Sequence, residues 1–367
     1  MRETGERNGI VVLAVGDVML GEHPLYIGHG VLSAIRRSSH DQLFSHVREV
    51  LSSADFAFGN LEAPLCRETE NSGLLQSRQL RGDPDGARLL ANAGFNVVSL
   101  ANNHFGDHGE AAMRETILVL AANRIHAAGA TLKPAPLVLR KGDLRIGFLA
   151  FDLSGMRDPA EEAALLESVR RTRKGVDIVI VSVHWGDEFI DLPSLAQVAL
   201  GHAMVDHGAD LIIGHHPHVL QGTEEYRGGL IAYSLGNFVF DMHHRRSKQT
   251  AVLRAELAPD RPVQWAVLPA SINRQRQPVL LRGRKRRRAE RRIAALSARI
   301  GVEVSPEQYQ RKLRRTRTLI RISRILYFVS HCLAYPPGIA RQILLSSARV
   351  ERRVRIDRGD AESADGG

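Results

Sequence analysis

Short apolar runs, each closed by a glycine or a polar cluster, recur through the first two thirds of this chain. Residues 10–15 are uninterruptedly apolar and stop at Gly16, the pattern of a strand buried on both faces. Residues 54–58, 96–100, 144–151, 177–183, 210–213, 230–234 and 237–240 also read as strands. Between them, residues 87–93, 110–123, 160–173 and 195–207 carry helical spacing, and Gly94 stops the first of these helices. Alternation at this spacing predicts an α/β fold built on a layered sheet, with no internal repeat.

The pattern changes near residue 262. Pro262, Pro269 and Pro278 mark 262–283 as a boundary, beyond which 290–300, 306–335 and 338–355 read as helices. Three parts are expected: a body over 1–272, a helical appendage over 273–358, and a disordered acidic tail over 359–367. Charge follows the same division. Residues 1–272 hold 26 Lys+Arg against 32 Asp+Glu, whereas 273–358 hold 24 against 5. Fifteen of the 16 histidines precede residue 245, which assigns chemistry to the body and electrostatics to the appendage. Two cysteines, Cys66 and Cys332, make no disulfide framework and suit a reducing compartment. The apolar runs are too short for a secretion-signal core or a membrane span. The expected place is the cytoplasm, with the basic appendage offering attachment at the inner membrane face.

The clusters that end the apolar runs carry the chemistry. They are Gly16-Asp17, Gly59-Asn60-Leu61-Glu62, Asn102-Asn103-His104, Val183-His184-Trp185 and Gly214-His215-His216-Pro217-His218. Open α/β sheets gather the carboxyl ends of their strands at one crevice, so these distant residues are expected to meet. A mixed set of carboxylate, amide and imidazole donors suits a divalent first-row metal. In the last cluster Pro217 pushes His216 toward an extended conformation, which would aim His216 and His218 to one side. His215 then faces away or hydrogen-bonds behind the ligands. A glutamate among apolar neighbours, as Glu62 is, is better explained by a cation than by solvent. Asp107 is placed to orient His104. Trp185 either walls a pocket or fills the core, and Asn237, in Gly236-Asn237, either offers an amide to substrate or shapes a turn. The P-loop pattern GxxxxGK[ST] and the GxSxG nucleophile elbow are absent.

Taken in order, six segments resemble one family. Gly16-Asp17-Val18-Met19-Leu20-Gly21, Gly59 to Pro64, Ser99 to His104, Val183 to Gly186, Gly214 to Gly222 and Tyr233 to Phe238 are similar to the bacterial capsule-synthesis, poly-gamma-glutamate biosynthesis (CapA-type) proteins. The likeness spans roughly residues 10–255, and that family in turn resembles the calcineurin-like metallophosphoesterases. The resemblance implies a sheet sandwich flanked by helices around a dinuclear metal site. It implies Asp17, Asn103, His184, His216 and His218 as metal ligands, with Glu62 or Asn60 in place of a bridging aspartate. Met19 stands where the phosphoesterase pattern has a histidine. One or two divalent ions, Mn²⁺, Fe²⁺ or Zn²⁺, are expected.

The resulting expectation is a metal-dependent hydrolase acting on a phosphoryl or gamma-glutamyl acyl group of an acidic small molecule or polymer. Metal ligands would be Asp17, Glu62, Asn103, His184, His216 and His218. His104, Asp107 and His215 would be catalytic, and Asn102, Trp185 and Asn237 would contact substrate. The alternative is a non-catalytic accessory protein that binds an acidic polymer within a membrane-associated synthesis complex. A nuclease steered by the appendage stands third. For the appendage, packing on the body ranks first, an anionic membrane surface second and nucleic acid last, because no base-stacking pattern accompanies its arginines.

Overall fold

A computed structural model describes residues 9–37, 42–130, 135–155, 159–259, 261–302, 305–336 and 338–345. Its strands are β1 (Ile10–Val18), β2 (Phe56–Leu61), β3 (Val97–Ser99), β4 (His126–Ala128), β5 (Leu137–Lys141), β6 (Leu144–Leu153), β7 (Ile178–Trp185), β8 (Leu211–His215), β9 (Thr223–Tyr226), β10 (Gly229–Ala232), β11 (Asn237–Val239), β12 (Gln249–Ala258), β13 (Arg261–Ile272) and β14 (Pro278–Leu280). The helices are α1 (Val31–Arg37), α2 (Arg48–Leu51), α3 (Gly86–Ala93), α4 (Glu110–Ala122), α5 (Pro159–Arg173), α6 (Leu195–Asp206), α7 (Gly283–Ser297) and α8 (Pro306–His331).

Two sheets are packed face to face and flanked by helices. The first runs β14-β13-β12-β1-β2-β3-β4, with β11 also pairing with β1; the second runs β5-β6-β7-β8-β10-β9. In β1, alternate residues serve opposite faces. Val12 and Ala14 join Phe58, Phe148, Ile180 and Ile213 between the sheets, while Leu13 and Val15 face residues of α1, α3 and α4. The second sheet repeats this, with Val179 and Val181 packed against α5 and α6. A strand covered on both faces must be apolar throughout, which is why these strands are legible as continuous runs. Each fully buried aliphatic or phenyl side chain contributes roughly 1.5–3 kcal/mol toward the entropy cost of folding.

The parallel strands β1, β2, β3, β7 and β8 end at one edge. Four of them run further than their apolar residues suggest: β1 includes Asp17, β2 includes Asn60, β7 includes His184 and β8 includes His215. Gly16 is required by the close approach of the β11 segment, since a Cβ there would lie 1.7 Å from the Gly236 carbonyl oxygen. That same carbonyl accepts the Asp17 N–H at 2.9 Å and so fixes the Asp17 backbone. Residues 262–283, expected as a boundary, instead hold most of β13 and all of β14. The prolines are tolerated because β14 pairs only with Ala270–Ile272, which leaves most of one side of β13 an edge.

The appendage packs on the body. Ile293 and Leu296 of α7 contact Leu220 and Ala251, and Ser297 Oγ accepts the Thr223 N–H at 2.9 Å. Helix α8 is held by the acidic loop that follows β7. Asp191 accepts from Lys312 Nζ at 2.6 Å and lies 3.3 Å from Arg246 and 3.6 Å from Arg292. Asp187 accepts from Tyr309 Oη at 2.9 Å, and Glu188 lies 3.9 Å from Arg324. The expected helix over 338–355 falls outside the described residues beyond 345, as does the whole acidic tail.

Burial alone would raise the Asp191 carboxyl, but the Lys312 hydrogen bond and the Lys312, Arg246 and Arg292 charges hold it below the usual carboxylate range. A depressed folded-state pKa stabilises above the ordinary carboxylate value and loses that effect as pH falls through the lowered one. Docking of α8 should therefore be constant near neutrality and weaken only below about pH 4. Replacing Asp191 with Asn should cost about 2 kcal/mol by stranding three cations and speed tryptic cleavage within α8 at pH 7. Unchanged cleavage and an unchanged urea midpoint would show that Asp191 does not hold the helix.

Candidate metal centre

Asp17 and Glu62 are both 0 % exposed and face each other across the strand ends. Asn60 sits between them. Its amide nitrogen donates to Asp17 Oδ1 at 3.0 Å and lies 3.4 Å from Glu62 Oε2 and from His184 Nδ1. Asn102 holds Asn60 from behind, donating to its Oδ1 at 3.1 Å and to the Leu61 carbonyl at 3.0 Å. Asn60, Leu61 and Glu62 alternate along the end of β2, which puts both polar side chains on the crevice side.

The imidazoles close the ring. His215 Nδ1 lies 3.2 Å from Asp17 Oδ1, and His218 Nδ1 lies 3.2 Å from Asp17 Oδ2. His218 Nε2 lies 3.6 Å and His184 Nε2 3.8 Å from Glu62 Oε1. His184 Nε2 is in turn 2.9 Å from Asn103 Oδ1 and 3.1 Å from His216 Nδ1. Donor atoms bound to one first-row cation at about 2.1 Å stand about 3.0–3.4 Å apart; the Asp17–His215 and Asp17–His218 pairs stand at 3.2 Å, and the Glu62–His184 pair is wider at 3.8 Å. Asp17, Glu62 and His184 each place one ligand atom within 4.8 Å of the others.

The chemistry of these donors fits a divalent cation. Asp17 Oδ2, Glu62 Oε1 and His215 Nε2 are buried and make no hydrogen bond. An unsatisfied buried carboxylate oxygen is costly unless a cation meets it. Burial alone would raise Asp17, but the close imidazoles of His215 and His218 hold it well below the usual range. Burial drives Glu62 well upward against the opposing charge of His218, and Asp17 adds to the rise. For His218, burial works downward but Glu62 and Asp17 outweigh it and push the group up to about 10. His184 and His216 are lowered by burial and then by neighbouring imidazoles, so both are neutral near pH 7.

His104 stands at the open rim. Its Nδ1 is 2.8 Å from Asp107 Oδ2, and its Nε2 is 4.0 Å from Glu62 Oε1 and 3.2 Å from Asn103 Nδ2. Beside Asn102, a cleft of about 490 Å³ is lined by Phe105, Met113, Phe151 and Asp152.

Several sequence expectations change. His216 and His218 do not converge by extended alternation: their φ angles are +92° and +56°. The backbone turns sharply after β8, held by the Phe189 N–H donating to the Pro217 carbonyl at 2.7 Å, and each such residue stores about 1–3 kcal/mol of strain. Trp185 is not a substrate contact. Strand alternation turns it away from His184 into the core, where its indole donates to the Tyr233 carbonyl at 3.0 Å. Asn237 is fully buried and 2.8 Å from His218 Nδ1, so it orients that ring and does not meet substrate. Asn102 borders the cleft, but its amide nitrogen is committed to Asn60 and Leu61, and its Oδ1 accepts the His104 N–H at 3.1 Å. Sequence reasoning passed over Phe189 and Phe240, which pack on the His218 ring with centroids 6.1 Å and 4.7 Å away. Nothing in their spacing signals this role.

The fold is thus a sheet sandwich of the α/β class, with a buried carboxylate–imidazole cluster at its strand ends as the candidate metal centre. A family model described as bacterial capsule synthesis protein PGA_cap matches residues 11–242, and the chain belongs to that family. Relatives include the capsule biosynthesis protein CapA of Bacillus anthracis, 32 % identical over 73 % of this chain and 68 % of that one. The PGA biosynthesis protein CapA of Bacillus subtilis is 30 % identical, over 71 % and 70 %. A probable polyglutamine synthesis accessory protein of Mycobacterium tuberculosis is 30 % identical over 44 % and 49 %. Solved structures of similar course include a hypothetical protein from Thermus thermophilus, with TM-score 0.46, 19 % identity and coverage of 71 % and 99 %. A phosphatase from Mycoplasma pneumoniae has TM-score 0.44, 14 % identity and coverage of 71 % and 93 %.

Titration calorimetry of the purified chain with Mn²⁺ or Zn²⁺ should show tight binding that weakens at least tenfold in His184→Ala and in Asp17→Asn. Equal affinity in both variants would place the ion elsewhere.

Proposed function

We propose that the chain is a metal-dependent hydrolase of capsule polymer synthesis, acting on a phosphoryl or gamma-glutamyl acyl bond. The observation that supports this most is the pairing of an unsatisfied buried carboxylate hollow with a rim histidine already bonded to its own carboxylate. When bound, the cation supplies Lewis acidity, polarising the phosphoryl or acyl oxygen and acidifying water. Asp17, Glu62, Asn103, His184, His216 and His218 would hold it; Asn60, Asn237 and His215 fix the carboxylates and rings.

His104 carries the proton work. The 2.8 Å contact with Asp107 sets the Nδ1 proton between them, and Nε2, 3.2 Å from the Asn103 amide nitrogen, lies 4.0 Å from Glu62 Oε1. A charged Nε2–H can donate to a departing oxygen or nitrogen, with Asp107 stabilising the imidazolium. The cleft beside Asn102 leaves room for the part of the substrate that does not react.

The relative named as a polyglutamine synthesis accessory protein supports a second reading, in which the crevice binds an acidic polymer without cleaving it. Assays with Mn²⁺ across phosphoesters, anhydrides and gamma-glutamyl amides separate the two. The enzyme reading expects turnover of one class, abolished in Asp17→Ala and reduced about 10²–10⁴-fold in His104→Ala. Saturable polymer binding without turnover would establish the accessory role.

A further inference from the structure

We propose that the outer face of α8 docks on an anionic lipid surface. The helix spans 26 residues, about 39 Å, and its inner face is accounted for by named contacts. Tyr309 and Lys312 bind Asp187 and Asp191, Ile320 packs near Met19 and Phe189, Ser323 Oγ lies 2.7 Å from His243, and Tyr327 Oη lies 3.1 Å from His29. The opposite face has a different composition. Leu319, Ile322, Leu326 and Val329 recur every three or four residues, Ile325 lies beside them, and all five are exposed, Leu326 at 65 % and Val329 at 64 %. The row continues onto Leu333, which is 98 % exposed. One turn earlier on this side, Arg311, Arg314 and Arg315 are exposed.

A contiguous aliphatic row facing water, with arginines gathered at one end, is a surface made to be covered. Charge chooses the occupant. The appendage carries 24 Lys+Arg against 5 Asp+Glu over residues 273–358, so a second copy of this face would repel the first. Anionic headgroups attract it, and the aliphatic row can sink among the acyl chains while the arginines stay at headgroup depth. Nucleic acid matches the charge but not the row, which has no aromatic side chain for bases to stack on. No helix among the described residues is long and apolar enough to cross a membrane, so α8 lies along the surface. Its inner face grips the loop that follows His184, so docking would set the metal-site crevice beside the bilayer.

Vesicle co-sedimentation of the full chain tests this at ~0.1 M salt, comparing pure phosphatidylcholine with vesicles containing about 40 % phosphatidylglycerol. Binding is expected to the anionic vesicles alone. It should fall at least tenfold in Leu319→Ser/Ile322→Ser/Leu326→Ser and also in Arg314→Gln/Arg315→Gln, each with an unchanged melting curve. No retention of the wild type on anionic vesicles overturns the proposal. So does retention that neither variant alters, and so does a dimer in light scattering that the serine variant dissociates. RNA binding that survives the serine variant, with no vesicle binding, would assign the charge to nucleic acid instead.

Discussion

Two carboxylates removed from water and set against each other are the constraint on which this molecule turns. Asp17 and Glu62 have no exposed surface, and each keeps an oxygen that makes no hydrogen bond. Isolated charges in such a place would protonate or pull the strands apart. They persist because Asn60 spans them and because four imidazoles surround them. The sheet edges, the tight β1–β11 approach at Gly16 and the turn at His216 all hold this arrangement in place.

The acidic loop after β7 links that centre to the basic appendage. His184, one residue before the end of β7, lies at the crevice, while Asp187, Glu188 and Asp191, a few residues on, receive Tyr309, Arg324 and Lys312 from α8. Phe189, between these acids, packs on the His218 ring and lies beneath Arg324 at 5.8 Å. The charge division along the chain is thus a docking code as well as a composition. The acids that receive the appendage belong to the same loop that leads out of the candidate metal centre.

Much of this was legible because the strands are buried on both sides, so their apolar runs end where the chemistry begins. Asp17, Glu62, His184 and the His104–Asp107 pair could be named from that rule and brought to one crevice by the strand-end argument. What stayed hidden was orientation. Trp185 follows His184 directly, yet only the strand's position between two layers shows that it faces the core. The proline argument for His216 assumed an extended backbone, whereas buried ring contacts and the Phe189–Pro217 hydrogen bond hold φ at +92°. Short or edge strands such as β4, β5 and β14 were missed because three to five half-exposed residues carry little periodicity. The prolines of β13 read as a boundary because tolerance for them depends on which side of a strand lacks a partner.

Anomalous diffraction from crystals soaked in Mn²⁺ addresses the central claim most directly. A peak should appear about 2.0–2.4 Å from ligand atoms of Asp17, Glu62 and His184. A well-ordered crevice without a peak, or with its anomalous scatterer bound only elsewhere on the chain, would contradict the account.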